Sequence, residues 1–310
     1  MKTVNWNNYN ISKLCLGTVQ FGLDYGVANK SGEIAQKDVD NILDFIFSNE
    51  INCLDTGSMY GNSERKIGNF IKKNNRENIK IVSKIKSDFF TLEEKNSIFE
   101  IDKSLNLLNN STLFALLLHN IEAIKNWNIK NSNLIKLLKN HNKIKYFGVS
   151  IYNDKEFNLA LDNPNVDIIQ IPFNLFDQRA ITQRWFIKAK KKNKLIFIRS
   201  IYLQGLILMN ISDIPIHLEK VKKYITIIDN LSKKLNITKN ELALAFVESI
   251  AKESIILFGC DSLAQAKENI EIFNTLQKLD KNTLQFIKNN LSEVDEDIYN
   301  PTRWSKNEIK

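Results

Sequence analysis

A carboxylate and a phenol stand five residues apart in "INCLDTGSMYG" (51–61): Asp55 closes a short apolar run, and Tyr60 lies between Met59 and Gly61. Two further polar groups end apolar runs of the same kind. Lys84 closes "IKIVSK" (79–84) and His119 closes "LFALLLH" (113–119). Taken singly, each has an ordinary reading as a helix cap, a packed ring, a solvated lysine or a hydrogen-bonded edge imidazole. Aimed at one place, they make a proton-transfer site. A tyrosine's reference pKa of about 10 is high for proton exchange near neutrality. A neighbouring ammonium is expected to lower it by stabilising phenolate, while the carboxylate holds the ammonium. The imidazole can then hydrogen-bond the substrate oxygen. Such a set protonates a developing alkoxide or deprotonates an alcohol.

The elements that must position these groups follow from the alternation of apolar runs with helical periods. Strands are expected at "KLCLG" (13–17), "INCLD" (51–55), "IKIVSK" (79–84), "LFALLLH" (113–119), "KYFGVS" (145–150), "DIIQI" (167–171), "LIFIRS" (195–200) and "SIILFG" (254–259). Amphipathic segments such as "QKDVDNILDFIFSN" and "SNLIKLLKNH" lie between them, two helices precede the last strand, and "SLAQAKENIEIFNTL" and a polar tail follow it. Continuous apolar strands suit a parallel sheet buried on both faces. Eight such units predict an α/β fold, a closed (β/α)8 TIM barrel, as a single domain over 1–310. No "GxGxxG" follows the first strand, which argues against an open dinucleotide-binding sheet. Barrels of this kind build their sites at the carboxyl ends of the strands. Asp55, Lys84 and His119 are all at such ends, and Tyr60 is in the loop after the second.

Composition bounds the alternatives. The chain has 310 residues, 43% hydrophobic and 25% charged, enough for a sizeable core. The net charge of +8 is scattered, and its densest cluster, "KAKKKNK" (188–194), reads as the solvated last turn of a helix. No nucleic-acid partner is expected. No apolar run approaches the ~20 residues of a membrane span, and "MKTVNWNNYN" lacks the apolar core of a signal peptide. Cys15, Cys53 and Cys260 read as buried thiols of a reducing compartment, which predicts a cytoplasmic protein. Neither they nor His119, His141 and His217 show metal-ligand spacing, so no metal is expected.

The segments "LGTVQFG" (16–22), "DTGSMYGNSERKIG" (55–68), "SK" (83–84), "SLNLLNNSTLFALLLH" (104–119), "GVS" (148–150) and "ILFGCDSLAQAKEN" (256–269) resemble the aldo/keto reductase superfamily, in order, over nearly the whole chain. The resemblance implies a nicotinamide cofactor across the barrel mouth and hydride transfer to a carbonyl or from an alcohol. Tyr60 would be the general acid/base, Asp55 and Lys84 would tune it, and His119 would orient the carbonyl. Thr18, Ser150 and Gln170 match positions at the nicotinamide end. Ser200, Gln204, Gly205 and Leu206 match the pyrophosphate stretch, and Gly259, Asp261, Gln265 and Asn269 the adenosine end. The chain departs from the family at Gly57, where Ala is usual, and at Asn120–Ile121, where "PD" is common. It departs again at Gly259 and Gln265, where many members place the Lys and Arg that hold a 2′-phosphate. NADP(H) is the expected cofactor, with NAD(H) left open and only weak discrimination between them.

The substrate is expected to be a small carbonyl or alcohol, sugar-related by the subgroup that "LGTVQFGLDYG" resembles, with Phe21, Tyr25, Asn120, Phe173, Tyr202 and Trp304 as candidate lining residues. Two other functions stay open. One is a cofactor-holding regulatory subunit with little turnover. The other is a redox-neutral lyase or epimerase that uses bound cofactor transiently. The sequence leaves the oligomeric state open.

Overall fold

The computed structural model describes residues 1–27, 32–76 and 78–304. It begins with a hairpin of β1 (Thr3–Trp6) and β2 (Tyr9–Ser12). Eight parallel strands then close into a barrel: β3 (Leu14–Gly17), β4 (Cys53–Asp55), β5 (Lys80–Ile85), β6 (Leu113–Leu118), β7 (Ile144–Ser150), β8 (Ile168–Pro172), β9 (Leu195–Arg199) and β10 (Ile255–Phe258), with β10 returning to pair with β3. The eight expected strands are the eight barrel strands. Among the described residues no helix is long and apolar enough to cross a membrane.

Each strand is buried on both faces, and the period of two divides its side chains between two cores. Along β10, Ile256 and Phe258 face the surrounding helices while Ile255 and Leu257 fill the barrel. Cys15 and Cys53 belong to the barrel filling, and all three cysteines are buried and free. The outer helices carry the complementary stripe. In Gln36–Ser48 it is Val39, Ile42, Leu43 and Ile46, at steps of three, one and three.

The hairpin is absent from the sequence reading. Asn7 and Asn8 both take positive φ, 47° and 66°, as a tight hairpin turn requires and as asparagine tolerates. Its aromatic residues plug the amino-terminal end of the barrel, with Trp6 4.5 Å from the Tyr146 ring and Tyr9 5.4 Å from that of Phe114. The polar tail also folds, as helices Lys281–Leu291 and Glu296–Tyr299 and the turn Pro301–Arg303. The buried residues of the first of these helices are spaced as Thr283, Ile287 and Leu291, a narrow stripe that polar composition conceals.

Candidate active site

Backbone bonds between neighbouring strand exits carry the four proposed residues to one place. Ser58 N–H donates to the Lys84 carbonyl at 2.9 Å, and His119 N–H donates to the Ile85 carbonyl at 2.9 Å. The loop holding Tyr60 depends on two glycines. A Cβ at Gly22 would lie 1.9 Å from the Tyr60 carbonyl oxygen, and one at Gly61 would lie 2.1 Å from that of Gly22. Gly61 also has φ 51°, in the left-handed region. Only glycines let the loops after β3 and β4 touch, and that contact sets the tyrosine backbone. Ser63 reinforces it by donating to the Thr18 carbonyl at 2.9 Å.

At the centre, Lys84 Nζ pairs with Asp55 Oδ1, and both side chains are buried. Gln170 Nε2 donates to Asp55 Oδ2 at 2.8 Å, so both carboxylate oxygens are held. Thr18 clamps the strand end through its N–H and Oγ1, each 2.9 Å from the Asp55 carbonyl. The Lys84 ammonium lies 5.2 Å from the centroid of the half-buried Tyr60 ring. The Tyr60 and His119 rings are 6.3 Å apart and nearly perpendicular. Asp55, Tyr60, Lys84 and His119 thus share one site.

The electrostatics differ from the sequence expectation at Tyr60. Burial raises its pKa above the ordinary tyrosine value; the Lys84 ammonium pulls it down, but Asp55 beyond the ammonium pushes it up again. The phenol therefore keeps its proton. Burial works against the charge of Lys84, yet Asp55 and Tyr60 more than offset it, and its pKa stands above the ordinary value. Burial, followed by the nearby charges of Lys84 and Arg199, lowers the pKa of His119, so the imidazole is neutral at pH 7. A neutral imidazole has one N–H to donate.

These groups lie on a cavity of about 760 Å³, within the ~300–1,000 Å³ usual for ligand sites. Of the residues expected to meet a cofactor, Thr18, Ser150, Gln170, Ser200, Gln204, Gly205, Gly259, Asp261, Gln265 and Asn269 line it. Leu206 does not, because its side chain is fully buried in the outer core. The lining fits a polar, extended ligand. Among the described residues Gln20 Oε1 and Asp261 Oδ1 are buried there with no hydrogen-bond partner, and a Cβ at Gly259 would come within 2.8 Å of the Gln20 side chain. The backbone after β9 turns sharply through Ser200, Leu203, Gln204 and Gly205, all at positive φ. Gln265 accepts from the Asp261 N–H at 2.8 Å, and the Lys267 ammonium sits over the Phe45 ring, 5.8 Å from its centroid.

The substrate candidates divide. Tyr25 and Tyr202 line the cavity, Tyr202 with its hydroxyl donating to Asn269 Oδ1 at 2.6 Å. Phe21, Phe173 and Trp304 do not, because each is turned into the core. Phe173 packs between Phe186 and Phe246, and Trp304 donates its indole N–H to the Ile298 carbonyl. The tail reaches the cavity through Pro301 and Thr302 instead. Asn120 is exposed outside it, joined to Ser87. The residue missed is Arg199, half-buried in the cavity wall. Its signal was present, since it ends the apolar run "LIFIR" as Lys84 ends its own.

The model of the aldo/keto reductase family matches residues 13–289. The chain belongs to the aldo/keto reductase family. Similar solved structures support the fold. An aldo-keto reductase from Bacillus halodurans, AKR11C1 in its holo form, is 20% identical with a TM-score of 0.75, the match covering 96% of this chain and 98% of that one. A Klebsiella pneumoniae aldo-keto reductase in complex with NADPH is 18% identical at a TM-score of 0.70, covering 94% and 95%. The glycerol dehydrogenase AKR11B4 from Gluconobacter oxydans is 17% identical at 0.72, also covering 94% and 95%. No curated protein sequence matches significantly. At these identities the shared barrel is the common property.

Proposed function

We propose that this aldo/keto reductase reduces an aldehyde or ketone to an alcohol with NADP(H), using Tyr60 as the proton donor. The observation that carries the reading is the buried Lys84 ammonium, set between the Asp55 carboxylate and the Tyr60 ring and facing a neutral His119. Thr18, Ser150 and Gln170 would hold the nicotinamide end, the turn at Ser200–Gly205 the phosphates, and Gly259, Asp261, Gln265 and Asn269 the adenosine end. When bound, the nicotinamide supplies the hydride.

The chain's own residues handle the proton and the charge. His119 donates its one N–H to the carbonyl oxygen and fixes its direction. Tyr60 is held protonated by its enclosure, so it enters the reaction as an acid. As negative charge grows on the oxygen, the Tyr60 O–H bond breaks and the proton passes to it. The phenolate left behind is stabilised by Lys84, whose ammonium is fixed in advance by Asp55 and Gln170. The burial that keeps the phenol protonated at rest also strengthens the ammonium's hold on the phenolate.

Tyr60→Phe tests the reading, because it removes the hydroxyl and keeps the ring. Carbonyl reduction should fall by ~10²–10⁴-fold or more, the range of a lost general acid, while cofactor binding persists. Activity within a few-fold of the parent would exclude Tyr60 as the donor.

A further inference from the structure

The charges at the chemical end of the cavity do not balance without a ligand. Lys84 is matched by Asp55. Arg199 is not matched: among the described residues it has no carboxylate partner. Its three hydrogen bonds go to neutral oxygens, from Nε to Ser150 Oγ at 3.2 Å, from Nη1 to Ser200 Oγ at 3.2 Å and from Nη2 to the Ile151 carbonyl at 3.1 Å. Its guanidinium also lies over the Tyr152 ring, 4.3 Å from the centroid. Arg179 shows the contrast, since it is equally half-buried but makes a forked pair with the Asp177 carboxylate at 2.8 and 2.6 Å.

These contacts hold the guanidinium in place without neutralising it. A half-buried cation without a counter-ion is costly unless something else brings the charge. A guanidinium has five N–H donors, so two remain, one on each terminal nitrogen. Donors on both terminal nitrogens can take an oxyanion in a two-pronged grip. The cation is close enough to the reacting groups to lower the pKa of both Tyr60 and His119. The other acidic residues of the lining, Asp261 and Glu268, belong with Gln265 and Asn269 to the stretch proposed for the adenosine end, just before and on the helix Leu263–Thr275 that follows β10.

We propose that the carbonyl substrate is itself an anion, and that its carboxylate or phosphate oxygens seat on the two remaining N–H groups of Arg199. This rests on the reductase reading of the site and adds the substrate's charge class. Arg199 then selects substrates, because a neutral carbonyl compound leaves the guanidinium unmatched. The other anion that could meet it is the pyrophosphate of the cofactor, and the experiment separates the two.

The full-length protein is assayed with NADPH on two matched pairs: 4-oxobutanoate against butanal, and glyceraldehyde 3-phosphate against glyceraldehyde. The anionic member of at least one pair should have the higher kcat/KM, and which pair responds tells carboxylate from phosphate. Arg199→Met should shrink that charged-to-neutral ratio by about 10- to 100-fold, the worth of a hydrogen bond to a charged group, and Arg199→Lys should restore part of it. A ratio unchanged in Arg199→Met overturns the proposal. So does a loss confined to NADPH affinity, measured by fluorescence titration, which would assign Arg199 to the cofactor's phosphates. Should none of the four aldehydes be reduced, calorimetry with succinate and with inorganic phosphate on the protein–NADP⁺ complex decides instead. Saturable binding that Arg199→Met abolishes supports the site, and no binding removes it. Tyr60-dependent reduction of butanal with no preference for anions would leave the reductase reading standing and remove only this inference.

Discussion

Lys84→Met isolates the central ion pair. Asp55 and Lys84 are each 3% exposed, so the methionine fills a similar volume but leaves a buried carboxylate with Gln170 as its remaining side-chain donor. Breaking such a pair from one side costs ~3–5 kcal/mol, because the surviving charge stays desolvated. Replacing both partners by neutral groups of similar shape removes that charge, and buried pairs exchanged in this way are often neutral in stability. Asp55→Asn added to Lys84→Met should therefore recover about 2–3 kcal/mol of coupling energy. Urea unfolding followed by far-UV circular dichroism measures all four corners of the cycle. The double variant should be more stable than Lys84→Met and yet as inactive, since neither can stabilise a phenolate. A double variant no more stable than the single one, or a single loss below ~1 kcal/mol, would refute a charged, buried pair. The pH dependence has a defined sign. Lys84 has a folded pKa above the ordinary lysine value of 10.5. Its contribution to stability is thus complete below that value and is lost as pH rises through the higher folded pKa.

Gly22→Ala should be severe although it adds a single methyl, because the Cβ would lie 1.9 Å from the Tyr60 carbonyl. Backbone displacement there should cost ~1–3 kcal/mol by overpacking and lower turnover far more than it lowers stability; parent-like kcat with a parent-like midpoint would count against the loop contact. His119 titrates below the ordinary histidine value of 6.5. The folded form therefore resists protonation, and stability is lost as pH falls below 6.5. Nuclear magnetic resonance of labelled histidine should show this imidazole more than half neutral at pH 6.5, and titration at or above that value would contradict the placement. Cofactor discrimination should be weak, within about tenfold or 1.4 kcal/mol, because Gln265 is tied to the Asp261 N–H and Lys267 to Phe45. Competitive titration of NADPH and NADH checks it, and a thousandfold preference would refute the reasoning. Gln265→Arg should shift the preference toward NADPH through a charge-assisted contact.

The sequence by itself determined the barrel and the four groups proposed to react. Eight apolar runs alternating with amphipathic ones admit few other folds, and the strand period fixes which residue stands at each exit. Asp55, Lys84 and His119 were legible because a polar residue ending an apolar run is a local signal. Arg199 carries the same signal, but nothing local distinguishes it from a cation in solvent. What surrounds a side chain is not local, and only the tertiary structure decided it. Phe21, Phe173 and Trp304 have the chemistry of a lining residue but pack into the core, because the turn of each loop sets which way a ring points. The hairpin that plugs the barrel depends on two asparagines at positive φ, and a narrow apolar stripe folds the tail. The protonation of Tyr60 is the clearest case. Sequence supplied a phenol and an ammonium, which predict a lowered pKa. The enclosure that raises it is a sum over many packed neighbours, and it exists only when the chain is folded.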